Sequence, residues 1–125
     1  MDTVSVRYIV SDVDAAITFY TGSLDFEVEM HPAPGFAALK RGSLRLLLNA
    51  PGAGGAGASM PDGTVPEPGG WNRIQIEVED LASTVKELEN RGTSFRNEIV
   101  EGKGGKQVLV EDPAGNPVEL FEAKK

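Results

Sequence analysis

The feature that most constrains this chain is that it repeats itself. Setting residues 5–20 above residues 73–88 gives a constant shift of 68 positions over which the patterns agree. Val6, Tyr8 and Val10 alternate with Ser5, Arg7 and Ile9, and Ile74, Ile76 and Val78 alternate in the same way with Arg73, Gln75 and Glu77. A period of two is that of a strand, so each half opens with one. Asp12 and Asp80 then stand where a helix N-cap belongs, with Ser11 and Asp14 spaced like a capping box. Val13, Ala16, Ile17 and Tyr20 recur at helical spacing, as do Leu81, Val85 and Leu88, and Gly22 and Gly92 are placed to stop the two helices.

After each helix the period returns to two. Strands are expected near residues 25–30, 36–40 and 43–49, and again near 94–101, 106–111 and 117–123, the last two joined by the turn Asp112-Pro113-Ala114-Gly115-Asn116. Each half reads β-α-β-β-β, which makes the chain α+β. At 125 residues it is expected to be one domain: module one over 1–50, a linker over 51–70 and module two over 71–125. The linker holds seven glycines and four prolines, too many for regular structure, and such a stretch serves as a mobile linker or as a lid. Within it, Gly52-Ala53-Gly54-Gly55-Ala56-Gly57 fits the dinucleotide pattern G-x-G-x-x-G, but Ser59-Met60-Pro61-Asp62-Gly63 follows without the helix that would aim its amides at a pyrophosphate.

Charge and composition narrow the partners. Twelve basic against nineteen acidic residues give a net charge of -7, which disfavours nucleic acid and anionic membranes. Cysteine is absent, removing thiolate metal sites and a cysteine nucleophile, and a reducing cytoplasm is the expected location. A strand beginning near Val4 leaves no room for a signal peptide, and no apolar run reaches spanning length. The only histidine, His31, sits beside Pro32, where a surface turn is expected; with no serine in a nucleophile-elbow context, a serine-histidine-acid triad is not supported.

Alternation assigns Val6, Tyr8, Val10, Leu44, Leu46, Leu48, Ile74, Ile76 and Val78 to the helix-covered faces. The other faces carry Ser5, Arg7, Ile9, Arg45, Leu47, Arg73, Gln75, Glu77, Glu119 and Phe121, too charged for a dry core and expected to be wet or to hold a polar ligand. Trp71, at the end of the long loop, is placed either to wall a cavity mouth and stack on a planar ligand or to anchor the loop.

A duplicated β-α-β-β-β unit of this size, with Val10-Ser11-Asp12-Val13 and Phe19-Tyr20 in one half and Val78-Glu79-Asp80-Leu81 and Asp112-Pro113-Ala114-Gly115-Asn116-Pro117-Val118-Glu119-Leu120 in the other, resembles the vicinal oxygen chelate superfamily of glyoxalase I, extradiol dioxygenases, fosfomycin-resistance enzymes and bleomycin-binding proteins. The resemblance implies a cupped mixed sheet, helices on its outer face and a site on the inner one. It also implies four equivalent metal-ligand positions, here Ser5, Arg73, Glu119 and, in the first closing strand, Arg45. Only Glu119 is a useful donor, so no bound metal and no other cofactor is expected. Arg73 and Glu119 are then expected to pair, with Arg45 and Glu77 completing a network; the pair either satisfies buried charge or presents the arginines to a ligand. The resemblance implies a binder of a small metabolite or antibiotic, working as a homodimer, through Ser5, Arg7, Arg45, Trp71, Arg73, Gln75, Glu77, Glu119 and Phe121. The alternative is a lyase, isomerase or dioxygenase using a divalent metal on atypical ligands, or metal-free acid/base catalysis with Glu119 as the best candidate base.

Overall fold

Two helices and nine strands account for the regular structure of residues 2–125, the part described by the computed structural model. By its internal contacts the chain divides into Met1–Gly69 and Gly70–Lys125. Each unit is a β-α-β-β-β module with its own mixed sheet.

The first unit runs β1 (Val4–Ile9), α1 (Val13–Ser23), β2 (Glu27–Ala33), β3 (Phe36–Arg41) and β4 (Leu44–Asn49), with sheet order β1-β4-β3-β2. β1 lies parallel to β4 and the other pairs are antiparallel. Asp12 starts α1 by accepting from the Ala15 amide at 3.1 Å, so Asp12 is the cap and the Ser11–Asp14 box is not. The helix packs on β2, β3 and β4. Tyr20 is fully buried and meets Tyr8, Phe19 and Phe26 edge-on, with ring centroids 6.4, 5.1 and 5.5 Å away, an arrangement that suits the aromatic quadrupole. Leu39, Leu46 and Leu48 complete this buried core, whereas Val6 and Leu44 are only half-buried.

Gly22 does not stop α1. The helix passes through it to Ser23, and the chain turns out through Asp25 at φ 61°, with the Phe26 amide donating back to the Tyr20 carbonyl at 3.1 Å. Aspartate tolerates the left-handed region better than most residues, which is why the glycine was a misleading signal. His31 is likewise not in a turn. β2 continues through Pro32 to Ala33, and His31 is an exposed strand residue 3.9 Å from the Asp14 carboxylate. Proline is tolerated there because β2 is the edge strand and its register slips on both sides of Met30.

The second unit runs β5 (Ile74–Glu77), α2 (Leu81–Asn90), β6 (Ser94–Phe95), β7 (Val100–Glu101), β8 (Gly105–Glu111) and β9 (Pro117–Ala123), in the order β5-β9-β8-β6 with β7 also on β8. α2 is capped twice: Asp80 accepts from Ser83 at 3.0 Å, and Glu122, reaching over from β9, accepts from Leu81 at 2.7 Å. It ends in a Schellman motif, Gly92 at φ 81° donating to Glu89 and Thr93 donating to Leu88, both at 3.0 Å. The single strand expected over 94–101 is two short pieces. Between them the Asn97 side chain, rather than backbone, accepts from Leu109, and the strand bows away.

The turn at 112–116 is held by Asp112, whose Oδ1 accepts from the Ala114 and Asn116 amides, both at 2.9 Å, while Oδ2 accepts from Asn116 Nδ2 at 3.0 Å. Gly115 takes φ 88°, which fits glycine. Residues 51–70 form no helix or strand, yet the first part is folded: Ala50 donates to Gly35, Ala53 to Ala50 and Gly57 to Ala53, and a Cβ on Gly57 would collide with the carbonyl oxygens of Ala50 and Ala53. Within the glycine-rich run Gly57 therefore serves close backbone packing, whereas Gly52, Gly54 and Gly55 have open space around them. Among the described residues no helix is long and apolar enough to cross a membrane.

Candidate functional site

β5 and β9 lie side by side and parallel, with Gln75 opposite Glu119 and Glu77 opposite Phe121. Arg73, just before β5, extends to Glu119: its Nε and Nη2 both donate to Oε1, at 3.0 and 2.9 Å. Gln75 Nε2 donates to the remaining oxygen, Oε2, at 2.6 Å. Glu119 is only 7% exposed, so its charge is removed from bulk water and both of its oxygens are engaged by neighbours. Arg73 also donates through Nη1 to the Trp71 carbonyl at 3.3 Å, which ties the strand entrance to the same carboxylate.

Beside this group lies one that sequence reasoning missed. Arg96 Nε donates to Glu111 Oε2 at 2.8 Å, Nη1 to the Gly70 carbonyl at 2.6 Å and Nη2 to the Gly115 carbonyl at 2.8 Å. Its guanidinium lies 4.7 Å from the centroid of the Trp71 ring. Trp71 itself is 69% exposed, so it is not buried as an anchor beneath the loop. No sequence signal marked Arg96, since it falls in the bow between β6 and β7 and its partners are distant in the chain.

The first unit brings together a different set. Ser5 stands opposite Arg45, and Arg7 opposite Leu47. Arg45 Nε lies 2.8 Å from Glu29 Oε1, close but without the alignment of a hydrogen bond. Within its own unit Arg45 pairs with Glu29, at the slip in the β2 register. Ser5, Arg7 and Glu77 are exposed and Phe121 is half-buried.

Register also corrects which residue of module one matches Glu119. The Val10 amide donates to Asn49 and the Val78 amide to Phe121, at 2.9 and 2.8 Å. Val10 and Val78 are equivalent in the repeat, so Asn49 matches Phe121 and Leu47, not Arg45, matches Glu119. The hairpins differ in length between modules, and a shift read from the opening strands does not carry over to the closing ones.

These residues do not fit the divalent ion that the fold family implies. Of the four equivalent positions, Ser5, Leu47 and Arg73 are poor or repelling ligands, and the carboxylate of Glu119 already holds a cation. Among the described residues no three or more His, Cys, Asp or Glu side chains gather as a metal site.

Comparison with known proteins agrees with the frame. The family model described as the Glyoxalase/Bleomycin resistance protein/Dioxygenase superfamily matches residues 3–120. Among solved structures, the chain is similar to a member of the glyoxalase/bleomycin resistance protein/dioxygenase superfamily from Sphaerobacter thermophilus DSM 20745, at 26% identity over 98% of this chain and 97% of that one, with a TM-score of 0.76. It is similar in fold to TnmS3, an antibiotic binding protein from Streptomyces sp. CB03234 (20% identity, 99% and 97% covered, TM-score 0.74). It is likewise similar in fold to the lactoylglutathione lyase from Agrobacterium tumefaciens (23% identity, 95% and 91% covered, TM-score 0.72). No curated protein matches the chain. With its duplicated β-α-β-β-β module and a family model that matches nearly all of it, the chain belongs to the glyoxalase/bleomycin resistance protein/dioxygenase superfamily.

Proposed function

We propose that this chain binds, and thereby holds or sequesters, a small metabolite or antibiotic, and that the polar face of its second unit is the recognising surface. The observation that carries the reading is the state of Glu119. A carboxylate whose two oxygens accept from Arg73 and Gln75 is arranged to fix those side chains rather than to grip a metal or take a proton. Arg73, Gln75 and Glu119 form the rigid floor of the proposed site, and Trp71, Glu77 and Phe121 border it. On the first unit, Ser5, Arg7 and Arg45 are proposed as ligand-contacting residues of that unit's own polar face. Similarity in fold to an antibiotic binding protein supports a binding role for the fold, and the chain is proposed to work as a homodimer.

The test uses the full chain purified without chelators. A thermal-shift screen of antibiotics and aromatic metabolites, followed by isothermal titration of the hits, is expected to give a saturable ligand whose affinity is unchanged by EDTA and falls at least about tenfold in Gln75→Leu and Arg73→Lys, the loss of one hydrogen bond or of the fork geometry. Turnover of any superfamily-type substrate that depends on added Ni, Zn, Mn or Fe and disappears in Glu119→Gln would overturn the proposal. Light scattering on the eluting protein tests the dimer, a monomer at micromolar concentration counting against it.

A further inference from the structure

We infer that Trp71 is a preset stacking platform for a planar aromatic group that is anionic or uncharged, with Arg96 as the residue that positions it; the inference rests on the binding reading above and gives the ligand its chemical class. Three features carry it. First, the indole is exposed but covered on one face: it is 69% accessible, and Arg96 sits 4.7 Å from the ring centroid. An isolated tryptophan in solvent would lose rotational freedom on binding, whereas this one already rests against a partner.

Second, the partner is itself fixed. All three guanidinium nitrogens of Arg96 donate, to the carboxylate of Glu111 and to the carbonyls of Gly70, next to Trp71, and Gly115, within the 112–116 turn. Three of the five N–H groups of Arg96 are thereby engaged, one on each nitrogen, which fixes the plane of the guanidinium against the ring and lets it position the indole. Third, the charge is informative. A guanidinium on one face draws on the ring's π electrons, so the open face is less able to hold a second cation and better suited to an electron-rich ring. Arg73, which donates to the Trp71 carbonyl at 3.3 Å, adds a second guanidinium on the side of the proposed site. The chain's net charge of -7 alone would favour a cationic ligand, and the local arrangement opposes that.

Trp71 is the single tryptophan, so a nitrogen-15-labelled sample gives one indole N–H resonance that reports on this ring alone. Three probes sharing one ring system separate the charge classes: quinaldate, its uncharged amide quinaldamide, and the N-methylquinolinium cation. Quinaldate and quinaldamide are expected to move the indole resonance saturably, and N-methylquinolinium to bind at least about tenfold more weakly. Trp71→Leu, a change at an exposed position, is expected to abolish quinaldamide binding by calorimetry with the rest of the spectrum unchanged. Arg96→Met is expected to remove the charge preference, so that the cation binds as well as the amide; if that variant does not fold, Arg96→Lys, which keeps a cation over the ring, is expected to retain the preference.

An indole resonance that no probe moves while hits from the screen still bind would overturn the platform and leave the binding reading standing. Preference for the cation would overturn it as well, and so would a resonance that follows protein concentration instead of probe, since Trp71 would then be covered by a second copy. If the screen finds no ligand and quinaldate still saturates the indole shift, the proposed floor of Arg73, Gln75 and Glu119 fails and the platform stands.

Discussion

Arg73 directs two of its N–H groups, from Nε and Nη2, at one oxygen of Glu119, and so leaves the other oxygen to Gln75. The Glu119 side chain is 10% exposed and that of Arg73 29%, so the pair is sheltered on the carboxylate side and partly wet on the other. Removing the arginine alone leaves a buried charge with one neutral donor. Arg73→Met is therefore expected to cost about 2 kcal/mol, below the full range for a wholly buried pair because of the solvent at the guanidinium. The double change Arg73→Met with Glu119→Leu is expected to return to within about 1 kcal/mol of the parent. Urea denaturation of the parent, the two single variants and the double variant measures this cycle; a single-variant cost below about 0.5 kcal/mol would place the pair among ordinary surface ion pairs.

Much of this was legible in the residues because the signals were local. Asp12, Asp80 and Gly92 did what cap residues do, and the turn from Asp112 to Asn116 formed where five consecutive residues specified it. The Arg73–Glu119 contact was readable through the family resemblance, whose equivalent ligand positions bring the two residues together. What could not be read depended on pairing between distant segments. Register made Leu47 rather than Arg45 the repeat counterpart of Glu119, Arg96 found its partners 15, 19 and 26 positions away, and Glu29 reached Arg45 where β2 slips in register. The fold came from periodicity, whereas the details of the site came from hairpin lengths and bulges, for which one chain carries no pattern.

The second cap on α2 comes from outside the helix, and it links the helix to the sheet that carries Glu119. Glu122 Oε1 accepts from the Leu81 amide at 2.7 Å, next to the Asp80 cap on Ser83. Each satisfies an amide that the helix cannot, so Asp80→Ala and Glu122→Ala are each expected to cost about 1 kcal/mol. Because both act on one helical turn, their costs should not add fully. Urea midpoints of the single and double variants test this, and a neutral Glu122→Ala would show that the strand does not hold the helix end.

Two glycines in the same run are expected to behave oppositely. Neither Gly55 nor Gly57 has a positive φ, so any difference between them is steric. A Cβ on Gly57 would collide with two backbone carbonyls, which have no side-chain freedom with which to yield, while Gly55 has open space around it. Gly57→Ala is expected to destabilise by about 2 kcal/mol or more, and Gly55→Ala to be neutral or stabilising by up to about 1 kcal/mol through the unfolded chain. Thermal unfolding of the two variants decides whether this segment is folded backbone or a slack connection. Equal, negligible effects would favour the slack connection.

Asn49 closes β4 with an amide that is poorly served. It is 3% exposed, its Nδ2 reaches the Ala53 carbonyl only at 3.5 Å, and its Oδ1 is buried with no hydrogen-bond partner among the described residues. Ile9 and Phe36 stand on either side of it in the sheet register, so its surroundings are apolar. An unpaired buried acceptor costs about 1–3 kcal/mol, and one long hydrogen bond offsets little of that. Asn49→Leu, close in volume and without polar atoms, is therefore expected to be neutral or stabilising by about 1 kcal/mol. Asn49→Asp places a charge where no donor faces it and is expected to destabilise by about 3 kcal/mol or more at neutral pH. Chemical denaturation at neutral pH separates the two. A large loss in the leucine variant would mean that the bond to Ala53 holds the folded part of residues 51–70 in place, and Asn49 would then be a structural clamp rather than a tolerated defect.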